Sequence, residues 1–196
     1  MIDNNKNKKS RFERRRQQTH SRIKEAAIEL ILEKGYQEVT IQDITDRADY
    51  ARATFYLHFQ DIEELVLEYF NEGWQDHSST AQELQRTAGG ELPLLYYEIL
   101  VDFLLADQNK DFYRIIFNRL GPMSIIEQIK KHLIVDIEKR IRNNSELADD
   151  NIPPFLKANF YFGAMIQSII WWLEEPNPYT PQQMADAVYQ LMISNL

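Results

Sequence analysis

The chain has 196 residues, of which 44% are hydrophobic and 27% charged, a composition typical of a globular protein with a buried core. It contains no cysteine, which excludes disulfides and thiolate metal sites, and its four histidines are too far apart in sequence to pair as ligands, so we expect no metal site and no other cofactor. The formal net charge of −8, averaged over the chain, argues against a nucleic-acid partner.

The charge is, however, unevenly distributed along the chain. Residues 1–24 contain nine Lys or Arg and two Asp or Glu, whereas residues 61–196 contain 10 Lys or Arg and 21 Asp or Glu. A basic end joined to an acidic body indicates that only the N-terminal end meets a polyanion. Residues 1–15 are rich in Asn, Lys and Arg and lack apolar periodicity, so we expect a flexible basic arm there.

Helical periodicity extends over most of the remaining chain, and no segment alternates like a β-strand. Gly35 is suited to end the first helix, and Thr40 is suited to begin the second as its N-cap. Asp49 can adopt the left-handed conformation that a tight turn after this second helix requires. The predicted helices span approximately residues 17–34, 40–48, 52–59, 62–76, 91–105, 109–119, 123–143, 154–174 and 181–194.

These elements predict an all-α protein of about nine helices. Two short helices joined by a three-residue turn, after a longer helix, form a helix-turn-helix arrangement whose second short helix can lie in a major groove. We therefore divide the chain into a basic flexible arm at residues 1–15, a helix-turn-helix DNA-binding domain at residues 16–60, and a helical regulatory and dimerisation domain at residues 61–196.

Apolar spacing, turn position and a polar T-F-Y-x-H-F sequence occur together in one ungapped segment. The residues concerned are Arg22-Ile23, Ala26-Ala27, Leu30, Gly35-Tyr36, Thr40-Ile41, Asp43-Ile44, Arg47-Ala48, Thr54-Phe55-Tyr56-Leu57-His58-Phe59 and Glu64-Leu65. With these residues the segment resembles the DNA-binding domain of the TetR family of bacterial regulators.

The resemblance implies contacts with double-stranded DNA at matching positions. The residues that look like the family's phosphate contacts are Thr40, Thr54, Tyr56 and His58. The residues that stand where the family usually reads bases are Gln42, Arg52, Ala53 and Leu57. Phosphate contacts fix the register without carrying sequence information, so we expect Tyr56 to support binding to all sequences alike. Arg52 can bind guanine, and we expect it to contribute to sequence preference.

Three positions differ from the usual residues of the family. Asp49 stands where the family usually has Gly, Ala51 where it often has Ser, and Ile62 where it often has Lys. The last two differences remove a hydroxyl and a cation, for which the basic arm can compensate by following phosphates or entering a minor groove. The same differences favour an alternative: a regulator-like interaction protein that has lost operator binding and acts through a protein partner.

The acidic C-terminal half is expected to form a homodimer and to bind a small-molecule effector. The segment Phe160–Leu173 is apolar on too many sides to pack only within one subunit, so the last two helices can form a four-helix bundle with a second copy. The candidate interface residues are Gly163, Ile170, Trp171, Met184, Val188 and Leu191. The resemblance also implies an effector pocket, for which the candidate lining residues are Phe103, Tyr113, Phe117, Tyr161 and Met165.

We therefore expect a TetR-like transcriptional regulator, a ligand-responsive repressor that binds a palindromic operator as a dimer. The sequence has no glycine-rich phosphate loop, nucleophile elbow or metal constellation, so we expect no enzymatic activity. The longest apolar run is too short to span a bilayer and no apolar segment follows the N-terminus, so we expect a cytoplasmic protein without a membrane partner.

Overall fold

The structure, a computed structural model, describes residues 3–117, 121–143, 152–174 and 179–193. Within these ranges the chain forms ten α-helices, one short 3-10 helix and no strand. The helices are α1 (Asp3–Lys34), α2 (Ile41–Ala48), α3 (Arg52–Tyr56), α4 (Ile62–Trp74), α5 (His77–Thr87), α6 (Leu94–Gln108), α7 (Lys110–Phe117), α8 (Met123–Asn143), α9 (Pro154–Glu174) and α10 (Pro181–Ile193), and the 3-10 helix is Tyr36–Glu38.

The prediction of an all-α protein is confirmed, with one helix more than the sequence indicated in the part of the chain that the structure describes. The additional helix is α5, whose sequence has only two aliphatic residues beyond its first turn, Ala81 and Leu84. Its buried positions are occupied by His77 and Ala81, so no apolar stripe marks it in the sequence. The predicted helix ends at residues 119 and 194 lie outside the described residues.

The chain divides into two compact units, with the boundary between Tyr69 and Phe70, inside α4. Residues up to Tyr69 belong to the N-terminal unit, and residues from Phe70 onward belong to the C-terminal unit. The assignment of functions to residues 16–60 and 61–196 stays a prediction.

The N-terminal helix α1 begins at Asp3, whereas the sequence predicts a flexible arm over residues 1–15. This segment contains six Lys or Arg residues, which are good helix formers. It also continues a helix that packing has already nucleated, and adding residues to a formed helix is easier than starting one. The side chains of residues 11–18 are exposed, so this part of α1 is a basic helical extension that faces solvent.

The core of the N-terminal unit collects one apolar face from each of its helices. Each large apolar side chain that is fully buried contributes about 1.5–3 kcal/mol relative to exposure. The apolar side chains with no more than 2% exposure are Ile23, Ala27, Ile31, Ile44, Phe55, Phe59, Leu65 and Val66. They fix α2 and α3 against α1 and thereby set which side of α3 faces outward.

The C-terminal unit is organised around α6, which contacts α5, α7, α9 and α10. Helix α8 packs along α9, and α7 also contacts α9. The buried residues of α6 occur on nearly all its sides, which agrees with its position among four neighbours: Tyr96, Tyr97, Ile99, Leu100, Val101, Asp102, Phe103 and Ala106. None of the helices in the described ranges is long and apolar enough to cross a membrane.

A buried polar network lies within the C-terminal unit, centred on Asp102 of α6. The Asp102 carboxylate accepts a hydrogen bond from His77 Nε2 at 2.8 Å and another from the Tyr161 hydroxyl at 3.1 Å. Arg140 Nη1 lies 3.2 Å from His77 Nδ1, so the arginine donates there and the His77 proton is on Nε2. Burial raises the pKa of the Tyr161 hydroxyl, and the nearby Asp102 carboxylate raises it further. The network joins α5, α6, α8 and α9.

Candidate nucleic-acid interface

The α2-turn-α3 segment owes its shape to defined hydrogen bonds at the ends of α2. Thr40 is the N-cap: its hydroxyl accepts a hydrogen bond from Asp43 N–H at 3.2 Å, and Asp43 Oδ2 accepts from Thr40 N–H at 2.8 Å. At the other end Asp49 has φ 59° and ψ 49°, the left-handed conformation. The Tyr50 N–H then donates to the Thr45 carbonyl at 2.9 Å and closes the turn. The prediction that Thr40 begins α2 is confirmed.

Helix α3 is a single turn and ends at Tyr56, three residues before its predicted end. Its N-cap residue, Ala51, has no side chain that could cap the helix. The N–H groups of His58 and Phe59 both donate to the Phe55 carbonyl at 2.9 Å, so the residues after α3 stay compact. Phe55 and Phe59 are buried, which leaves the polar side of the segment facing outward.

The residues predicted to contact DNA all retain some exposure to solvent. Those that are exposed are Thr40, Gln42, Arg52, Ala53, Tyr56 and Leu57, and those that are partly exposed are Thr54 and His58. Two of them have partners on α2: the Thr40 hydroxyl donates to Asp43 Oδ2 at 2.6 Å, and Gln42 Nε2 donates to Asp46 Oδ1 at 2.7 Å. Their roles in DNA binding stay predictions.

Arg52 and Tyr56 are paired on the outer side of α3. Arg52 Nη2 donates to the Tyr56 hydroxyl oxygen at 3.2 Å, and the guanidinium carbon lies 5.9 Å from the centre of the Tyr56 ring. The Tyr56 ring meets the buried Phe55 ring edge-on, with 5.7 Å between the ring centres. Arg52 is therefore held by an aromatic side chain that is itself supported by the core.

Exposed ion pairs join α1 and α2. Arg47 donates to the Glu33 carboxylate through both Nη atoms, at 2.9 and 2.7 Å, and lies 3.4 Å from Glu29. Lys34 Nζ lies 2.9 Å from Asp43 Oδ2. Exposed pairs of this kind contribute little to stability. They nevertheless engage Arg47, whereas no carboxylate among the described residues forms an ion pair with Arg52.

A second charged cluster joins α1 to α4 and was not identified from the sequence. Glu68 Oε1 accepts from Lys24 Nζ at 2.7 Å and from His20 Nε2 at 2.6 Å. Burial raises the pKa of Glu68, but the hydrogen bonds and charges of Lys24 and His20 outweigh it and the net shift is downward. These residues are 44 and 48 positions apart, and a single sequence gives no signal for such a pairing.

His58 lies beside this cluster. The His20 ring stacks on the buried Phe59 ring at 4.3 Å, and its centre lies 5.5 Å from that of His58. Partial burial lowers the pKa of His58, and the positive charges of His20 and Arg16 lower it further. In the DNA-free protein, the surroundings of His58 therefore favour its neutral form.

The candidate effector residues divide between a cavity and the core of the C-terminal unit. Tyr113 and Phe117 line a cavity of about 230 Å³ between α7 and α9. The remaining lining residues are Arg114, Ile169, Ile170, Leu173 and Glu174. Phe103 and Met165 are instead buried, and Tyr161 is hydrogen-bonded to Asp102, so these three residues do not line this cavity. A second, more open groove of about 420 Å³ lies between α5, α6 and α10 and was not predicted.

The candidate interface residues divide in a similar way. Gly163, Trp171 and Leu191 are exposed, and Ile170 is partly exposed at the cavity. Met184 and Val188 are each only 5% exposed, because α10 turns this apolar face toward its own subunit. Both residues are therefore removed from the predicted interface.

Three large apolar residues of α9 that are not among the predicted interface residues are exposed: Phe155, Leu156 and Phe160. Their apolar character is visible in the sequence, but the sequence does not show that their side chains face solvent. Among the described residues, no group of three or more His, Asp or Glu is arranged to hold a metal ion.

Protein-family models match both the N-terminal and the C-terminal part of the chain. Residues 23–69 match the model of the bacterial regulatory proteins of the tetR family, and residues 97–194, half of the chain, match a transcriptional regulator C-terminal region. The HTH-type transcriptional regulator YvdT of Bacillus subtilis is 33% identical over 105 residues, which is 52% of this chain and 53% of YvdT. A second regulator of the same organism, YwcC, is 30% identical over 60 residues, or 31% of this chain. The chain thus spans about half of YvdT and 27% of YwcC.

Solved structures share the fold over nearly the whole chain. A TetR-family regulator from Syntrophomonas wolfei is 19% identical, with a TM-score of 0.71 over 92% of this chain and 97% of its own. The regulator FadR from Bacillus subtilis, in complex with stearoyl-CoA, is also 19% identical, with a TM-score of 0.64 over 90% of this chain and 98% of its own. With both family models matched and the helix-turn-helix in place, the chain belongs to the TetR family of bacterial transcriptional regulators.

Proposed function

We propose that this regulator is a ligand-responsive repressor that binds a palindromic operator as a homodimer. The observation that carries the proposal is the outward polar side of α3, where Arg52 stands beside Tyr56 without a carboxylate partner among the described residues. An arginine in this position keeps donors for a guanine edge or a phosphate. Such a protein acts where bacterial DNA lies, in the cytoplasm.

The contacts on DNA divide into two kinds under this proposal. The phosphate contacts are Thr40, Thr54, Tyr56 and His58, and the base contacts are Gln42, Arg52, Ala53 and Leu57. Phosphate contacts set the register of α3 in the groove, and base contacts provide sequence preference. The exposed arginines of the α1 extension add attraction to the DNA backbone that depends on salt.

The homodimer is supported by an exposed apolar stripe along α9. Leu156, Phe160, Gly163 and Trp171 lie on one side of this helix, at spacings of four, three and eight residues, and all four are exposed. Phe160 is 68% exposed, which is unusual for a phenylalanine of a folded monomer. Leu191 of α10 extends the apolar surface that we propose for the interface. A two-fold dimer presents two copies of α3 to half-sites that are about 34–36 Å apart, or a multiple of that distance.

The effector site that we propose is the cavity between α7 and α9. Its lining is mostly apolar, with Arg114 and Glu174 as the charged residues, so it suits a small molecule with an apolar part. FadR, which shares the fold, was solved with stearoyl-CoA bound. An effector changes operator affinity only to the extent that it prefers one separation of the two DNA-reading helices over another.

The alternative, a regulator-like interaction protein that no longer binds an operator, is less well supported. Asp49 was one of the features in its favour, yet the turn at Asp49 has the left-handed conformation that the family's usual glycine would provide. The α1 extension also offers exposed arginines in place of the cation that Ile62 removes. We propose no enzymatic activity for the chain.

The proposal is tested by selecting duplexes from a random-sequence DNA library with the full-length protein and measuring affinity over a range of salt concentrations. We expect a two-fold symmetric sequence whose binding weakens steeply with salt. Arg52→Ala should reduce discrimination between bases more than it reduces binding to unrelated DNA. Failure to enrich any sequence, together with retained binding to another protein, would favour the alternative.

A further inference from the structure

We infer that Tyr56 positions Arg52 for base reading, and that it therefore contributes to sequence specificity as well as to phosphate binding. The resemblance to the family implies only a phosphate contact for Tyr56, which would make its effect the same for every DNA sequence. The inference rests on the proposed function, because it concerns how α3 distinguishes operators.

The geometry joins the two side chains at two points. The Arg52 guanidinium donates to the Tyr56 hydroxyl oxygen at 3.2 Å and lies 5.9 Å from the centre of the ring. The residues are four positions apart, so they lie on the same side of α3. Tyr56 is 49% exposed, and the pair is thus accessible from solvent.

The Tyr56 ring is a firm support for this arrangement. It meets the ring of Phe55 at an interplanar angle of 85°, and Phe55 is completely buried in the core of the N-terminal unit. A tyrosine has only two side-chain torsions, so little conformational entropy is lost when it is held in place. The long Arg52 side chain would otherwise lose more rotamer entropy when it binds DNA.

The chemistry of a hydroxyl allows Tyr56 to contact Arg52 and DNA at the same time. Its oxygen accepts the hydrogen bond from Arg52, while its own hydrogen remains available for a phosphate oxygen. The guanidinium has five N–H donors, so those not directed at Tyr56 remain for the O6 and N7 atoms of a guanine. The Tyr56 hydroxyl can thereby bind a phosphate of the DNA backbone and at the same time orient Arg52 toward the base that it reads.

The neighbouring residues offer Arg52 no comparable support. Ala51 and Ala53 have no polar side-chain atoms, and the carboxylates that hold Arg47 belong to α1. The described residues show no ion pair that would withdraw Arg52 from the surface. The hydroxyl and ring of Tyr56 are therefore the groups that orient this arginine.

The test is a double-mutant cycle of Tyr56→Phe and Arg52→Ala, with the duplex selected by the wild-type protein as the probe. Affinity is measured for this duplex and for a set in which each base pair of the half-site is replaced in turn. We expect Tyr56→Phe to lower overall affinity and also to reduce discrimination at the base pair read by Arg52, by about threefold to tenfold. In the Arg52→Ala background, Tyr56→Phe should lower affinity without further change in the base profile.

Thr54→Val is the matched control, because it removes a predicted phosphate contact of α3 without touching Arg52. It should weaken all duplexes by the same factor. Circular dichroism and thermal unfolding of each variant exclude loss of the fold as the cause, and the exposed Tyr56→Phe change should leave the unfolding temperature unaltered.

An equal loss of affinity for every duplex in Tyr56→Phe, with the wild-type base profile, would overturn the inference and leave the proposed function intact. The same conclusion follows if Tyr56→Phe changes the base profile equally in the presence and absence of Arg52. If the wild-type protein selects no sequence, the proposed function and the inference both fall.

Discussion

Replacing Glu68 of α4 with leucine removes the carboxylate that accepts hydrogen bonds from Lys24 and His20 of α1. The expected loss of stability can be estimated from these two hydrogen bonds. Lys24 is 8% exposed and its ammonium lies 2.7 Å from Glu68 Oε1. Hydrogen bonds to charged groups contribute about 1.5–3 kcal/mol, and a nearly buried ammonium that loses this carboxylate also loses part of the compensation for its desolvation. Because the Glu68 side chain is about a third exposed, we expect a loss toward the lower end, about 1–2 kcal/mol.

The assay is denaturant and thermal unfolding of the full-length protein. A loss of this size should lower the melting temperature by roughly 2–8 °C for a chain of this length. Lys24→Met removes the ammonium as well, so the double variant with Glu68→Leu should recover most of the stability. The reasoning would be refuted if Glu68→Leu were as stable as the wild type, or if it cost as much in the Lys24→Met background as alone.

The same carboxylate gives a pH dependence with a definite sign. The pKa of Glu68 is lowered in the folded protein from its ordinary value of 4.5. Its contribution to stability is therefore present above about pH 4.5 and is lost as the pH falls from there through the folded pKa. The dependence of stability on pH in Glu68→Leu should accordingly lack this contribution. The stabilities of the wild-type protein and of Glu68→Leu should converge at the lowest pH.

Three further predictions concern the turn, the dimer and His58. Asp49→Gly should raise the free energy of unfolding by about 0.5–1 kcal/mol, because the left-handed conformation is strained for aspartate. Asp49→Ala should not raise it. Chemical denaturation of both variants measures the two free energies of unfolding. Phe160→Glu should convert the proposed dimer to a monomer in light-scattering experiments, whereas Gln82→Glu, at another exposed position on α5, should not. An unchanged mass for Phe160→Glu would exclude the α9 stripe from the interface. In the free protein the surroundings of His58 lower its pKa, whereas a neighbouring phosphate would raise it. Operator affinity, measured by fluorescence anisotropy, should therefore increase as the pH falls from about 7.5 to about 6. His58→Gln should abolish this increase.

The sequence was most informative where local chemistry determines the backbone. Thr40 and Asp43 are three residues apart, which is the spacing of a capping box, and the start of α2 follows from that spacing alone. The position of the turn could likewise be inferred from Asp49, a residue that tolerates the left-handed conformation. The shorter α3 could not, because its end depends on how Phe59 packs into the core.

Features that depend on distant contacts were beyond a single sequence. The shared partners of Glu68 come from another helix, and their approach is decided by tertiary packing. The sequence of Phe160–Leu173 indicates more apolar residues than one helix face can hold, and α9 has both buried and exposed apolar residues. Which face turns inward is a property of the assembled unit, so the sequence alone could not show that Met184 and Val188 are buried and that Phe160 is exposed.

The hydrogen bonds around Asp102 make the C-terminal unit selective about how its helices are aligned. A slide of α8 or α9 along its axis by part of a turn would move Arg140 away from His77, or Tyr161 away from Asp102. Intermediate alignments would thus leave polar atoms stranded in the interior, each at a cost of about 1–3 kcal/mol. We therefore expect the C-terminal unit to adopt a few discrete alignments of its helices rather than a continuous range. A conformational change in this unit should accordingly occur in discrete steps.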